Sequence, residues 1–352
     1  MNNLSTQPLV TVFISCYNRQ NFIRESLESV LKQSYKNIEI LIIDDCSTDD
    51  TLKILAEYQD DRIIILKNST NMGIPYTRNK GLQNATGKYF AILDSDDICT
   101  EDRIEKQVTY LEENQDVVAV GSQVETFGLN KRSFICKYYN TYEELKAQLI
   151  FNVPLCNSSA MVRKSIIDSY NIKYNNSYYV CEDYDFWYQI MKIGKIMTVS
   201  DVLVKYRVSN NNISKTSQEN QEKLINRMRI TLEIRSNVLN YYQFKLNSKE
   251  IEIFNDFFID LNDKTFDLKN NLSTLKSICN KIQKNNRTLN STTLAKVYND
   301  NLLIALNSDK IHIFEKIRVY IKIHFQESWK KYLKAIIFIF SRDLYHKVKR
   351  IY

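Results

Sequence analysis

The chain predicts an α/β protein with a mostly parallel central sheet flanked by helices and a helical region at its C-terminal end. Three observations carry this expectation. Over the first hundred residues, four short apolar and β-branched runs alternate with segments of helical spacing. Two of the runs end in carboxylates, Asp44-Asp45 and Asp94-Ser95-Asp96-Asp97, at the edge where open α/β sheets bind ligands. Beyond residue 214 the apolar residues recur at helical spacing, with Asn, Lys and Ser between them.

Taken in order, Leu9 to Ser15 reads as a buried strand, and Phe22, Leu27, Val30 and Leu31 mark the helix that follows. Ile38 to Ile43 is the second strand; Ser47 and Asp49 offer N-cap chemistry to a helix through Leu52, Leu55 and Tyr58. Ile63 to Leu66 is the third. Asn71, Gly73 and Pro75 form a loop into a helix carrying Arg78, which Thr86-Gly87 closes before the strand Tyr89 to Leu93. A helix from Arg103 to Asn114 leads to a strand over Val117 to Val120, with Asp102 placed to cap that helix or pair with Arg103. Residues 121–155 carry no clear period. Later, Leu224 to Leu239, Ile251 to Leu261 and Leu272 to Ile282 each have a helical apolar stripe. The expected division is therefore a catalytic domain over 1–214 and a helical region over 215–352.

Composition narrows the class. The 352 residues are 44% hydrophobic with a net charge of +7, enough for one large core and a smaller unit. Seven cysteines form no CxxC pair, which argues against a zinc site or a disulfide framework and for a reducing compartment. The N-terminus lacks the basic and apolar regions of a secretory signal. No window approaches the run of about 20 apolar residues that a spanning helix needs. A cytoplasmic chain is expected.

The strand ends carry the chemistry. Ile92 to Ile98 brings Asp94, Asp96 and Asp97 to the end of an apolar run, and each buried unpaired carboxylate costs roughly several kcal/mol. Neither GxGxxG nor GxxxxGK[ST] follows any strand, so a dinucleotide site and a P-loop are both unsupported. Carboxylates suit a hard divalent cation, and a cation held by one or two of them brings phosphates with it. The expected ligand is a metal-bridged diphosphate.

These residues resemble the family 2 glycosyltransferases with the A-type nucleotide-sugar fold. The likeness is carried by Tyr17-Asn18, by FIRESLESVLKQSYKNIEILIIDDCSTDDT over 22–51 and by NMGIPYTRNKGLQNATGKYFAILDSDD over 71–97, and it extends from 9 to 210. The resemblance implies that Ser15 and Tyr17 line the nucleobase pocket, that Asp45 accepts a hydrogen bond from uracil, and that Asp44 is structural. It implies that Arg78 approaches the nucleotide or its phosphates. By the same resemblance Asp94 and Asp96 would form a DxD motif, Asp94 nearer the ribose and Asp96 binding Mn²⁺ or Mg²⁺, while Asp97 is expected to cap or support the turn. NVPLCNSSAMVRKSII over 152–167 resembles an acceptor-side segment, which puts Asn157 and Ser158 near the sugar and acceptor.

A second acidic cluster, Glu182-Asp183-Tyr184-Asp185, opens a helix whose apolar face is Phe186, Ile190 and Ile193. Acids in a first helical turn oppose the macrodipole, which suffices to explain them. In the family, however, this pair supplies the general base, matching Asp183, with Glu182 orienting the site or touching the acceptor. Trp187 is expected in the core. After DVLVKYR over 201–207, where the family often has a His, this chain reads Val208-Ser209-Asn210; Arg207 remains as a phosphate contact.

The expected activity is an inverting transfer from a nucleotide sugar, a UDP-sugar by resemblance, to a glycan or lipid-linked glycan of a bacterial surface polysaccharide such as capsule or lipopolysaccharide. A sugar nucleotidyltransferase would want a Gly-rich basic N-terminal loop, which residues 13–20 are not; a non-catalytic nucleotide-sugar-binding or scaffold protein is the other alternative. No nucleic-acid module is present, although Phe127 to Tyr139 mixes bases with aromatics. Residues 327–352 join Trp329, Ile336, Ile337 and Phe338 with seven Lys and Arg. That composition fits both a peripheral contact with the inner face of the plasma membrane and a basic helix packed on its own domain.

Overall fold

A computed structural model describes residues 7–128, 133–209, 221–258, 267–306, 316, 319–321 and 323–324. The chain divides into two compact units. The first comprises Met1–Asn140 and Leu155–Asn210, the second Thr141–Pro154 and Asn211–Tyr352.

The first unit is an α/β fold built on one nine-stranded sheet. Its strands are β1 (Val10–Cys16), β2 (Ile38–Asp44), β3 (Ile63–Lys67), β4 (Tyr89–Asp94), β5 (Ile98–Cys99), β6 (Val117–Phe127), β7 (Phe134–Cys136), β8 (Met161–Arg163) and β9 (Lys195–Arg207). They form one sheet in the order β3-β2-β1-β4-β8-β6-β9-β5, with β7 paired to β6. The β3-β2-β1-β4 half is parallel throughout, as expected for strands joined by helical crossovers. The short β8 then runs antiparallel to both β4 and β6, and β6 and β9 are parallel to each other. Val10, Val12, Ile14, Ile40, Ile42, Ala91 and Leu93 are almost completely buried, which is why these runs show no polar alternation.

Helices α1 (Ile23–Leu31), α2 (Thr51–Leu55), α3 (Ile74–Asn84), α4 (Arg103–Glu113), α5 (Tyr142–Gln148), α6 (Lys164–Ser169) and α7 (Glu182–Met191) complete the order to β9. At α2 the capping differs from expectation. Ser47 Oγ accepts from Asn18 N–H, whereas Asp49 Oδ1 accepts from Thr51 N–H at 3.0 Å. Asp102 occupies the N-cap position of α4, as one of its two expected roles has it, with its carboxylate paired to Lys106 at 2.9 Å and not to Arg103. Strand β6 continues seven residues past Val120, because its buried polar groups find partners on neighbouring segments. Ser122 N–H donates to Ser159 Oγ, and Gln123 Nε2 donates to the carbonyls of Tyr138 and Val199.

The second unit contains α5 with α8 (Gln221–Tyr241), α9 (Ser248–Phe258), α10 (Leu268–Asn285) and α11 (Ser291–Leu306). The segment 141–154 thus groups with the C-terminal helices instead of the catalytic domain to which a division at 214 assigns it. Phe151 packs on Phe254, Phe258 and Tyr298 at 5.0–5.9 Å between ring centroids. Buried Arg235 donates to the Phe151 carbonyl and, at 2.8 Å, to Asn255 Oδ1. Asn301 Nδ2 holds Gln148 Oε1 at 2.8 Å. Among the described residues no helix is long and apolar enough to cross a membrane. Residues 327–352 lie outside the described residues.

Candidate functional site

The ends of β1 and β2 meet at Asp45. Its N–H donates to the Cys16 carbonyl at 2.8 Å. Its carboxylate accepts from Asn68 Nδ2 at 2.7 Å and from the N–H groups of Met72 and Gly73, each at 2.8 Å. Asp45 therefore fixes the loop that starts α3, where Gly73 takes φ +84°. Tyr17, 40% exposed, stands beside this junction. Ser15 lies on β1 with Ile43 and Asp94 as its register partners on either side. Asp44 is structural: it is fully buried, with Oδ2 accepting from Ser47 N–H at 2.9 Å.

The turn after β4 concentrates negative charge. Asp97 is fully buried, its Oδ1 accepting from Arg207 N–H at 2.8 Å. Arg207 also donates from Nε to the Asp96 carbonyl at 2.7 Å and from Nη2 to Glu25 at 3.0 Å, with its guanidinium over Phe127. So this arginine braces the acidic turn itself. Burial and then the Asp94 carboxylate push the Asp96 carboxyl up, against Arg19 and Arg207. Burial, followed by Asp96 and Asp94, holds Asp97 well above the usual range.

The third component is Arg78, only 6% exposed. Its Nη1 donates to Glu182 at 2.5 Å and its Nη2 to Asp94 at 3.0 Å. The guanidinium lies 5.4 Å from the Tyr174 ring centroid, and that ring stacks on Phe186 at 4.2 Å. Next to it, Asn79 Nδ2 donates to the Tyr174 carbonyl at 2.8 Å while Asn79 Oδ1 accepts from Tyr174 N–H at 2.9 Å. Glu182, 7% exposed, is pushed up to about 7 by burial, with Arg78 opposing and Asp183 reinforcing the rise. Burial wins because one guanidinium serves two carboxylates. Asp183 is half-buried in the first turn of α7, with Oδ1 accepting from Tyr184 N–H at 2.9 Å.

Three non-glycine residues in left-handed backbone flank these groups: Asn18 (φ +51°) after Tyr17, Cys46 (φ +64°) after Asp45, and Cys181 (φ +58°) before Glu182. Such strain is found where surrounding structure over-determines the chain, often at sites. Asn157 opens a turn against the end of β4, where Ser158 Oγ accepts from Asp94 N–H at 3.0 Å. Asn157 is 6% exposed, yet neither amide atom has a partner among the described residues. A buried amide without partners is costly, and a ligand or water would satisfy it.

Ser15, Asp94, Asp96, Arg78, Glu182 and Asp183 are thus linked through adjoining strand ends and the Arg78 bridge, and Asp45 joins them through α3. Sequence reasoning missed Asn68, Asn79 and the fully buried Arg103. Arg103 Nη2 donates to the carbonyls of Ile92 and Ala160 at 2.8 and 3.2 Å, tying β4 to the Asn157 turn. Asn79 could have been suspected from its place in Thr77-Arg78-Asn79.

The donor set fits a hard cation that arrives with phosphates. Crowded carboxylates raise one another's pKa, which a divalent charge would relieve. Among the described residues no three His, Cys, Asp or Glu converge to hold a metal alone. Oxygens from a diphosphate would complete the shell.

A parallel half-sheet with acidic strand ends, bridged by Arg78 to a second acidic pair, is the arrangement that the family resemblance leads one to expect. A family profile described as Glycosyl transferase family 2 matches residues 11–170. An uncharacterised glycosyltransferase of Haemophilus influenzae is 31% identical over 315 residues, spanning 78% of this chain and 98% of its own. The chain belongs to glycosyltransferase family 2. The Escherichia coli UDP-Glc:alpha-D-GlcNAc-diphosphoundecaprenol beta-1,3-glucosyltransferase WfgD is 29% identical, over 58% of this chain and 79% of its own. Among solved structures, Staphylococcus aureus TarS 1-349 in complex with UDP aligns with a TM-score of 0.54 at 17% identity, covering 89% of this chain and 83% of TarS 1-349, a likeness of fold.

Proposed function

We propose that the protein transfers a sugar from a UDP-sugar, with inversion at the anomeric carbon, to a glycan or lipid-linked glycan in surface-polysaccharide synthesis such as capsule or lipopolysaccharide. One observation carries this reading: Arg78 joins the acidic end of β4 to the acidic first turn of α7. On this reading the donor-side and acceptor-side carboxylates would face one reaction space. WfgD, which by its name uses UDP-Glc and a diphosphoundecaprenol-linked acceptor, supports the choice of donor and acceptor class.

Tyr17 and Ser15 would line the base pocket. Asp45 has three of its four lone-pair positions occupied and retains one for the single N–H of uracil. Asp94 would sit on the ribose side and Arg207 near the diphosphate. Asp96 would hold Mn²⁺ or Mg²⁺, a Lewis acid for the departing diphosphate when bound. Asp183 would take the proton from the acceptor hydroxyl as that oxygen attacks the face opposite the leaving group. One displacement inverts the centre. The Asn157 amide would contact the sugar or acceptor. The work would be done in the cytoplasm, with 327–352 against the inner membrane face.

The test is a thermal-shift panel of UDP-, GDP- and dTDP-sugars with Mn²⁺, followed by assay of transfer. Stabilisation by one UDP-sugar is expected. Asp183→Asn should keep that shift and lose transfer by roughly 100-fold or more. No shift with any nucleotide sugar, or full activity in both Asp183→Asn and Asp96→Ala, would overturn the reading.

A further inference from the structure

We propose that Arg78 is a positioning residue that locks the donor-side carboxylate of Asp94 to the acceptor-side carboxylate of Glu182, and is not a ligand of the donor's phosphates. The inference rests on the sugar-transfer reading of the site, and it departs from the phosphate contact that the sequence suggests.

Three features support it. The first is occupancy. Nη1 donates to Glu182 at 2.5 Å and Nη2 to Asp94 at 3.0 Å, so both ends of the fork are aimed at carboxylates. Turning the fork toward a phosphate would strand two carboxylates, one of them almost wholly buried. The second is charge. With Asp94 ionised, the guanidinium is already neutralised whether Glu182 is protonated or ionised, so the cluster has no net positive charge to offer a diphosphate.

The third is mechanical. Asn79, the next residue, clamps both the N–H and the carbonyl of Tyr174. The Tyr174 ring lies against the Arg78 guanidinium and stacks on Phe186, one helical turn beyond Glu182. Two consecutive residues of α3 therefore hold α7 by a charged fork, an amide clamp and an aromatic stack. The same helix begins at the loop fixed by Asp45. Seating of the base, the DxD strand end and the general-base helix are all referred to α3. Arg78 is where that helix reaches the two acids.

A double-mutant cycle decides the matter. Calorimetry gives UDP affinity with Mn²⁺, and steady-state UDP release gives turnover of the UDP-sugar that the donor panel selects. The chains compared are wild type, Arg78→Lys, Arg78→Gln, Glu182→Gln and the double Arg78→Gln/Glu182→Gln. Arg78→Gln is expected to lower kcat roughly 100-fold, the size of a displaced catalytic geometry, with UDP Kd changed by less than about threefold. Lys, which keeps the charge but cannot fork to both acids, should recover only part. The double variant should be no slower than the slower single variant, since both changes cut one bridge. It also removes one stranded carboxylate, so it keeps folded protein in hand where Arg78→Gln alone precipitates.

The opposite pattern would overturn the proposal: Kd up about tenfold or more with kcat retained, or losses that multiply in the double variant. A wild-type chain that binds no nucleotide would instead overturn the donor reading on which the proposal depends. The two failures are thus distinguishable.

Discussion

Arg207 and Asp97 join the last residue of β9 to the acidic turn after β4: the Arg207 N–H donates to Oδ1 of the fully buried Asp97 at 2.8 Å. Removing that acceptor with Asp97→Ala should destabilise the fold by about 1–3 kcal/mol, the range for a stranded buried donor. Asp97→Asn keeps an acceptor oxygen and the volume, and should cost less. Urea unfolding of the two variants checks the order.

Burial pushes the Glu182 carboxyl up to about 7 from an ordinary 4.5. Between those values the folded chain holds a proton that the unfolded chain has released. Its contribution is fully present below 4.5 and is lost as pH rises toward 7. Wild type should therefore lose stability relative to Glu182→Gln across that window, and the difference should level off above it. Paired urea titrations at pH 4.5, 6 and 8 measure this directly.

Arg103 donates to two carbonyls on separate segments, Ile92 and Ala160, and its Nε reaches Gln107. Arg103→Leu would remove a donor from both carbonyls, although Ala160 keeps the Ile92 N–H at 2.9 Å, and would strip Gln107 Oε1 of its partner; it should lower stability by about 1–3 kcal/mol. A drop within the range of a surface substitution in chemical unfolding would mean that the neighbouring structure relaxes to satisfy them.

Asp45 faces three donors, Asn68 Nδ2 and the N–H groups of Met72 and Gly73. Asp45→Asn turns an amide NH2 toward at least one of them, so the loop at the start of α3 should loosen. UDP affinity is expected to fall roughly tenfold, about the effect of one lost hydrogen bond plus loop ordering. Titration of UDP with Mn²⁺ reads it.

The first half of the fold was legible because β1, β2 and β4 are apolar runs bounded by turn residues and acids. Strand β6 was legible only to Val120. Beyond it, Gly121, Ser122 and Gln123 look like a loop, and only the distant partners Ser159, Tyr138 and Val199 make them a strand. The site divides in the same way. The acids at 94, 96, 97, 182 and 183 stand out in sequence, since charge beside an apolar run needs an explanation. What they contact does not: Arg78 reaches partners 16 and 104 residues away, and no local pattern encodes that choice. Asp45 was singled out by the family resemblance, but its grip on residues 72–73 depends on how β2 and α3 come together.

The second unit is assembled from two separated stretches of chain, Thr141–Pro154 and Asn211–Tyr352. Leu145, Leu149, Ile150 and Phe151 are buried there among the later helices. A stop codon at 215 would not release a clean catalytic module, because it would strip the cover from those four apolar side chains and invite aggregation. A minimal enzyme calls for a second cut and a graft between Asn140 and Leu155.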